Sequence, residues 1–343
     1  MRLTPRGKVV VVFLIVAALL GAPALAGMLY LRSIGVFGGS DPGEKVEVEI
    51  PEGASIERVG ELLEERDVVR SGFGVRVAAY LRSGEEVIQA GTYELRTGLS
   101  ARDALDELLE GPVLEFVNVT FPEGSWLTDF ARILERDTHI AADAFLRVVG
   151  TGEIRSRYRP DDVDTLEGLL FPSTYQVVEE DTAATVATRL VDEFEKRVGQ
   201  LDLSKVELLG VTPYQAIIVA SMVEAEARVP SERAKIAAVI YNRLEQGIRL
   251  GIDATVLYAL GEHKEVLTRS DLAVDSPYNT RLFPGLPPTP IGAAGIEALR
   301  AAADPADGDW LYYVLADCEG HHAFSVGYDE FLQNKATYQA LEC

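Results

Sequence analysis

Two hydrophobic periods alternate along the chain. Val46, Val48 and Ile50 alternate with Glu47 and Glu49, which predicts a strand with one buried face. Pro51-Glu52-Gly53 then breaks the pattern. Ser55 is placed to cap a helix whose stripe is Ile56, Val59, Leu62 and Leu63. "SGFGVRVAAYLRSG" offers a second short helix and "AGTYEL" (90–95) a return strand. "SARDALDELLEG" (100–111) is a capped helix that stops at Gly111. The start of this unit recurs at an offset of 71 residues. Pro122-Glu123-Gly124 repeats the turn, and Leu127, Phe130, Ile133 and Leu134 repeat the stripe. Two copies of a small βα module are the simplest account.

Downstream the texture changes. "TLEGLLFPSTYQV" (165–177) is a strand-rich aromatic segment, and 182–199 is a clean amphipathic helix. From Thr212 onward helical patterns dominate. Thr212 and Pro213 suit the N-cap and first turn of a helix over 212–228. Ser231 is placed to cap the next helix, which carries Ile236, Val239, Ile240 and Leu244 and ends near Gly247. A long Pro/Gly loop spans 275–295.

Upstream, Arg2, Arg6 and Lys8 precede an uncharged run of 23 residues, Val9 to Leu31. That length suits a membrane-spanning helix, and the basic flank places the N-terminus in the cytoplasm and the rest outside. Ala24-Leu25-Ala26 also fits a signal-peptidase site, so removal of the segment stays open. The expected class is α+β: an N-terminal membrane helix, a small α+β subdomain and a larger, mainly helical catalytic domain. The expected boundaries are a cytoplasmic tail (1–8), a transmembrane helix (9–31), a linker (32–45), the small subdomain (46–113) and the catalytic domain (114–343). Within the last, 114–150 repeats the strand-turn-helix start of the small subdomain.

A net charge of −22 repels phosphate backbones and argues against a nucleic-acid partner. The two cysteines, Cys318 and Cys343, and the four histidines have no metal-site spacing, so neither a metal nor another cofactor is expected.

The chemistry concentrates in "VASMVEAEA" (219–227), where two glutamates interrupt an apolar run. Carboxylates are seldom placed among apolar residues without a reason. On a helix, Glu224 and Glu226 point about 200° apart. Glu224 shares its face with Ile217, Ala220, Ser221 and Ala227, small and apolar neighbours that leave space beside it. A partly dry carboxyl of this kind has a raised pKa and can act as a general acid. Glu226 falls on the face of Gln215 and Met222, where it is expected to face a polar rim or to pair with an arginine such as Arg228, Arg233 or Arg243. The pattern alone leaves open a paired, non-catalytic Glu224. Tyr278, Asn279 and Thr280 in the long loop, with Asn242, supply the flat rings and amides that a sugar site uses.

"ASMVEAEARVPSERAKIAAVIYNRL", "LGIDATVLYALG", "SPYNTRLFPGLPPTPIG" and "LEGLLFPSTY" resemble the MltG-type (YceG-like) family of endolytic murein transglycosylases. The resemblance covers essentially the whole chain past the linker, and includes the membrane anchor. It implies that residues 46–111 form a LysM-like subdomain and that Glu224 is catalytic. It implies cleavage of the MurNAc–GlcNAc β-1,4 bond without water, leaving 1,6-anhydro-MurNAc ends and ending strand growth. It points to Asn242, Asp253, Thr255, Tyr278, Asn279 and Glu167 as substrate-binding residues. The implied partners are peptidoglycan strands, the cytoplasmic membrane and penicillin-binding synthases. Three motifs depart from the family pattern: 251–256 reads GIDATV, 278–281 reads YNTR, and Ser173 replaces an aspartate. A peptidoglycan-binding anchor without activity and a hydrolytic muramidase are the alternatives.

Overall fold

The computed structural model describes residues 21–38, 43–82, 88–112 and 116–341. The chain forms two compact units, Met1–Glu115 and Phe116–Cys343. The tail 1–8 and the first part of the expected membrane segment, 9–20, lie outside the described residues. Residues 21–33 are helical (α1). Among the described residues, no helix is long and apolar enough to cross a membrane.

The first unit runs β1 (Lys45–Ile50), α2 (Ile56–Glu65), α3 (Gly72–Arg82), β2 (Gly91–Arg96) and α4 (Ala101–Glu110). β1 and β2 pair antiparallel, with Val48 opposite Tyr93. The alternation in β1 buries Val48 and Ile50, as the period-2 pattern requires. Ser55 and Ser100 cap α2 and α4 by accepting from the amides of Arg58 and Asp103. Val59, Leu63, Val75, Leu105 and Leu108 close the core. Each such buried side chain contributes on the order of 1.5–3 kcal/mol. Part of the expected linker is not free chain. Val36 is 1% exposed, and the Gly35 carbonyl accepts from the Ala101 amide. An apolar Ile34-Gly35-Val36 inside a Gly-rich stretch has surface to bury, and it does so.

The second unit repeats this order and goes further. β3 (Phe116–Thr120), α5 (Leu127–Asp137), α6 (Ala142–Gly150), β4 (Thr174–Val178) and α7 (Ala183–Val198) reproduce β-α-α-β-α. Val119 lies opposite Tyr175, as Val48 lies opposite Tyr93. Tyr93 and Tyr175 each donate their hydroxyl to the carbonyl four residues earlier, of Gln89 and Phe171. The repeat therefore does not stop near residue 150. The insertion between α6 and β4 hides its second half from sequence comparison.

A short helix α8 (Ser204–Leu208) leads to α9 (Pro213–Glu226), α10 (Arg233–Glu245), α11 (Asp253–Leu260) and α12 (Ile296–Ala303). The hairpin β5 (Tyr312–Leu315) and β6 (His322–Ser325) precedes α13 (Tyr328–Gln339). Thr212 caps α9 as expected, and Gln215 returns a bond to the Thr212 amide. Ser231 does not cap α10. It sits inside a 3-10 turn, Pro230–Glu232, and α10 begins at Arg233. The turn is fixed from outside, because the Glu232 carboxylate accepts from the amide of His322 and pairs with its Nδ1 at 2.7 Å. α9 packs against α10 and α12 and is buried along nearly its whole length.

Candidate active site

α9 carries Ser221 and Glu224 one turn apart, on one face. Along that face runs the end of the long loop, residues 289–295. The Ile291 amide donates to Ser221 Oγ at 3.0 Å, and the Gly295 amide donates to Glu224 Oε2 at 3.0 Å. The small residues of this face thus admit a backbone strap rather than opening space for a sugar. A side chain larger than Ser221 or Ala220 would hold that backbone off. Glu224 sits where the strap ends. Its side chain is 10% exposed, with Arg233 Nη2 3.8 Å from Oε1. Burial, and then the negative charge of Glu123, raise its pKa. The Gly295 amide and Arg233 oppose the rise. The result is a carboxyl that holds its proton more tightly than a free glutamate does, with donors ready for the anion.

Beneath the strap lies a buried polar chain. Gly168, in the left-handed region at φ +72°, abuts Pro290, which leaves no room there for a Cβ. Its neighbour Glu167 is 4% exposed. Glu167 accepts from the Leu127 amide at 3.3 Å and from the Tyr258 hydroxyl at 3.0 Å. The Tyr258 ring packs on Tyr278, whose hydroxyl bonds Thr289 at 2.9 Å. Burial pushes Glu167 up to about 7, against the hydrogen bonds of Leu127, Tyr258 and Gly168. The native fold therefore binds this proton more tightly than the unfolded chain does. Its contribution is full below the ordinary value of 4.5 and is lost as pH rises through about 7. Glu167→Gln keeps both acceptor bonds and removes the titration. It should unfold like the wild type at pH 5 and be more stable at pH 8, by on the order of 1–3 kcal/mol. Urea midpoints at the two pH values check this, and an equal difference at both would contradict it.

Above the strap an aromatic wall forms. Trp126 Cδ1 lies 3.3 Å from where a Cβ on Gly292 would be. Trp126 stacks on His263 at 3.9 Å between centroids and meets Tyr258 edge-on. Asp129 Oδ2 accepts from the Trp126 amide at 3.0 Å and lies 3.1 Å from His263 Nε2. Flat rings of this kind suit the face of a pyranose. Sequence reasoning missed Trp126, His263, Glu123 and Gly295. The signal that existed was Trp126, two residues past the repeated turn, where the first copy has Ser55.

The remaining candidates have other employment. Asn279, 0% exposed, gives its amide to the Leu272 and Val274 carbonyls and ties the long loop. Thr255 bonds Ile252 and Thr280 in the interior. Asn242 holds the Gly308 and Trp310 carbonyls and lines a separate cavity of about 450 Å³. Asp253, at the start of α11, pairs with Arg281 at 2.5 Å. Glu226 and Asp253 line a cavity of about 560 Å³ with Arg243, Arg281, Tyr313 and Lys335. The expected arginine partner of Glu226 is replaced by Tyr313, whose hydroxyl donates to its carboxylate at 2.8 Å. Arg243 instead serves the Leu250 and Leu311 carbonyls, and Arg233 belongs to Glu224. α9 ends at Glu226, so the carboxylate reaches the β5–β6 hairpin rather than a polar rim.

A twice-repeated β-α-α-β unit, followed by a helix that presents a shielded glutamate to a backbone strap, defines one class of protein. The sequence model of the YceG-like family matches residues 48–337, and the chain belongs to that family. It is 30% identical to the endolytic murein transglycosylase of Bacillus subtilis strain 168, over 87% of this chain and 86% of the relative. It is 28% identical to that of Streptococcus pneumoniae R6, over 96% of this chain and 65% of the longer relative. The crystal structure of a yceG-like protein from Listeria monocytogenes matches with a TM-score of 0.57 at 30% identity, over 85% of this chain and 99% of that one.

Proposed function

We propose that the protein is a lytic transglycosylase of peptidoglycan with Glu224 as its single acid–base group. The observation that carries this reading is the environment of Glu224: shielded, so that its pKa is raised, with the Gly295 amide fixing Oε2 and Arg233 near Oε1. Protonated Glu224 gives its proton to the β-1,4 glycosidic oxygen between MurNAc and GlcNAc. The C1–O bond breaks and positive charge develops at C1. The resulting carboxylate, stabilised by Gly295 and Arg233, takes the proton of the MurNAc C6 hydroxyl as that oxygen closes onto C1. The products are a 1,6-anhydro-MurNAc end and a free GlcNAc hydroxyl, and Glu224 regains its proton. One group alternating as acid and base satisfies microscopic reversibility. The second carboxylate of an ordinary glycosidase is not needed for water or for a covalent intermediate.

Digestion of purified glycan strands in ¹⁸O-water tests the reaction class. No label should enter the new ends. Labelled reducing ends would make the protein a muramidase, and binding without cleavage would make it an anchor.

Internal cuts near the membrane would end strand growth, and penicillin-binding synthases are the partners this role calls for. The uncharged 9–31 run behind a basic flank supports anchorage with the catalytic unit outside the cytoplasm. The disulfide-bonded state of Cys318 fits an oxidising compartment. Cys343 lies outside the described residues.

A further inference from the structure

The repeated turn Pro122-Glu123-Gly124 has a feature that the reaction above leaves unused. The turn is pinned to the strap. The Gly124 amide donates to the Ala293 carbonyl at 2.7 Å, and the Ala293 amide to the Ser125 carbonyl at 2.8 Å. This pairing lays the exposed Glu123 side chain over Gly295, where a Cβ would fall 1.8 Å from Glu123 Oε1. The amide of the same Gly295 holds Glu224. Two carboxylates thus meet on one residue, one over its Cα and one on its N–H. Gly295 has φ −71° and ψ 168°, a conformation open to any residue. Its backbone does not demand glycine, and a side chain there would have to displace the Glu123 carboxylate.

We propose that Glu123 is a positioning residue: seated on Gly295, its carboxylate faces Glu224 and keeps the proton on that group until the substrate takes it. The proposal rests on the reading of Glu224 as the acid–base group. The charges facing Glu224 are Glu123, from the turn before α5, and Arg233, at the start of α10; the Gly295 amide is the neutral donor. The charge of Glu123 disfavours the anion on Glu224 and so holds the proton there. Arg233 alone would pull Glu224 toward its anion. The turn's counterpart in the first unit, Glu52, is exposed and sits in the same place of the same module. A turn common to both copies therefore supplies a working charge in the second.

The test is the pH dependence of kcat/KM for glycan cleavage by the full chain. Its basic limb reports the essential acid of the free enzyme. Glu123→Gln should move that limb to lower pH by on the order of 0.5–1 unit. Gly295→Ala should move it the same way, because the added methyl displaces the Glu123 carboxylate and leaves the amide donor in place. Glu123→Asp, which keeps the charge, should recover most of the shift. An unmoved limb in Glu123→Gln overturns the proposal, and so does a uniform fall in rate across pH. Glu224→Gln separates the two failures. If it cleaves at the wild-type rate, the reading of Glu224 has failed. If it is inactive and the limb is unmoved in Glu123→Gln, only the role of Glu123 has failed.

Discussion

Glu224→Gln should fold and bind glycan strands but cleave them slower by about 10²–10⁴-fold, the usual weight of a general acid. The upper end is expected, because one group serves both proton transfers. Glutamine retains the acceptor for the Gly295 amide, so the strap stays in place and the loss reports chemistry. Glu226→Gln is the matched control. It keeps the acceptor for the Tyr313 hydroxyl, and its site faces the β5–β6 hairpin, away from the strap. Cleavage by that variant should stay within a few-fold of wild type. Circular dichroism and glycan pull-down alongside the activity assay separate the two outcomes from misfolding.

Gly168→Ala should be the most destructive single methyl in the second unit. The residue sits at φ +72°, and its Cβ would lie 2.2 Å from Pro290 Cβ. A left-handed backbone costs a non-glycine residue about 1 kcal/mol, and a contact that neither rigid group can relieve adds to it. A loss on the order of 2–4 kcal/mol is expected. The effect should also reach activity. Pro290 precedes Ile291 in the strap, and a displaced strap takes the Gly295 amide away from Glu224. Chemical denaturation of the variant, paired with its cleavage rate in the folded range, checks both parts. Wild-type stability with wild-type rate would mean the strap is not set by Gly168.

Local patterns showed through the sequence well. Ser55, Ser100 and Thr212 cap the helices they were expected to cap, because capping is decided by a few neighbouring residues. The opposite faces of Glu224 and Glu226 follow from helix geometry alone. What sequence did not show is what crosses those faces. The small residues around Glu224 read as empty space, but a backbone segment some 70 residues away fills it. Polar side chains of the kind a sugar site uses can also be spent inside the fold. Asn279 and Thr255 have the chemistry of sugar ligands, yet their groups are consumed by loop carbonyls and by each other's neighbours. Buried polar groups must find partners, and in an irregular loop side chains supply them. Glu123 was visible only as part of a repeat. Its meeting with Gly295 is tertiary, and no spacing in the chain encodes it.

The central claim is that Glu224 alone drives a cleavage in which the sugar's own hydroxyl replaces water. Mass spectrometry of the new ends, for wild type and Glu224→Gln on the same purified glycan, tests it most directly. The account predicts 1,6-anhydro-MurNAc ends from the wild type and their release at least about a hundredfold slower from the variant. Anhydro ends released by Glu224→Gln at the wild-type rate would contradict it.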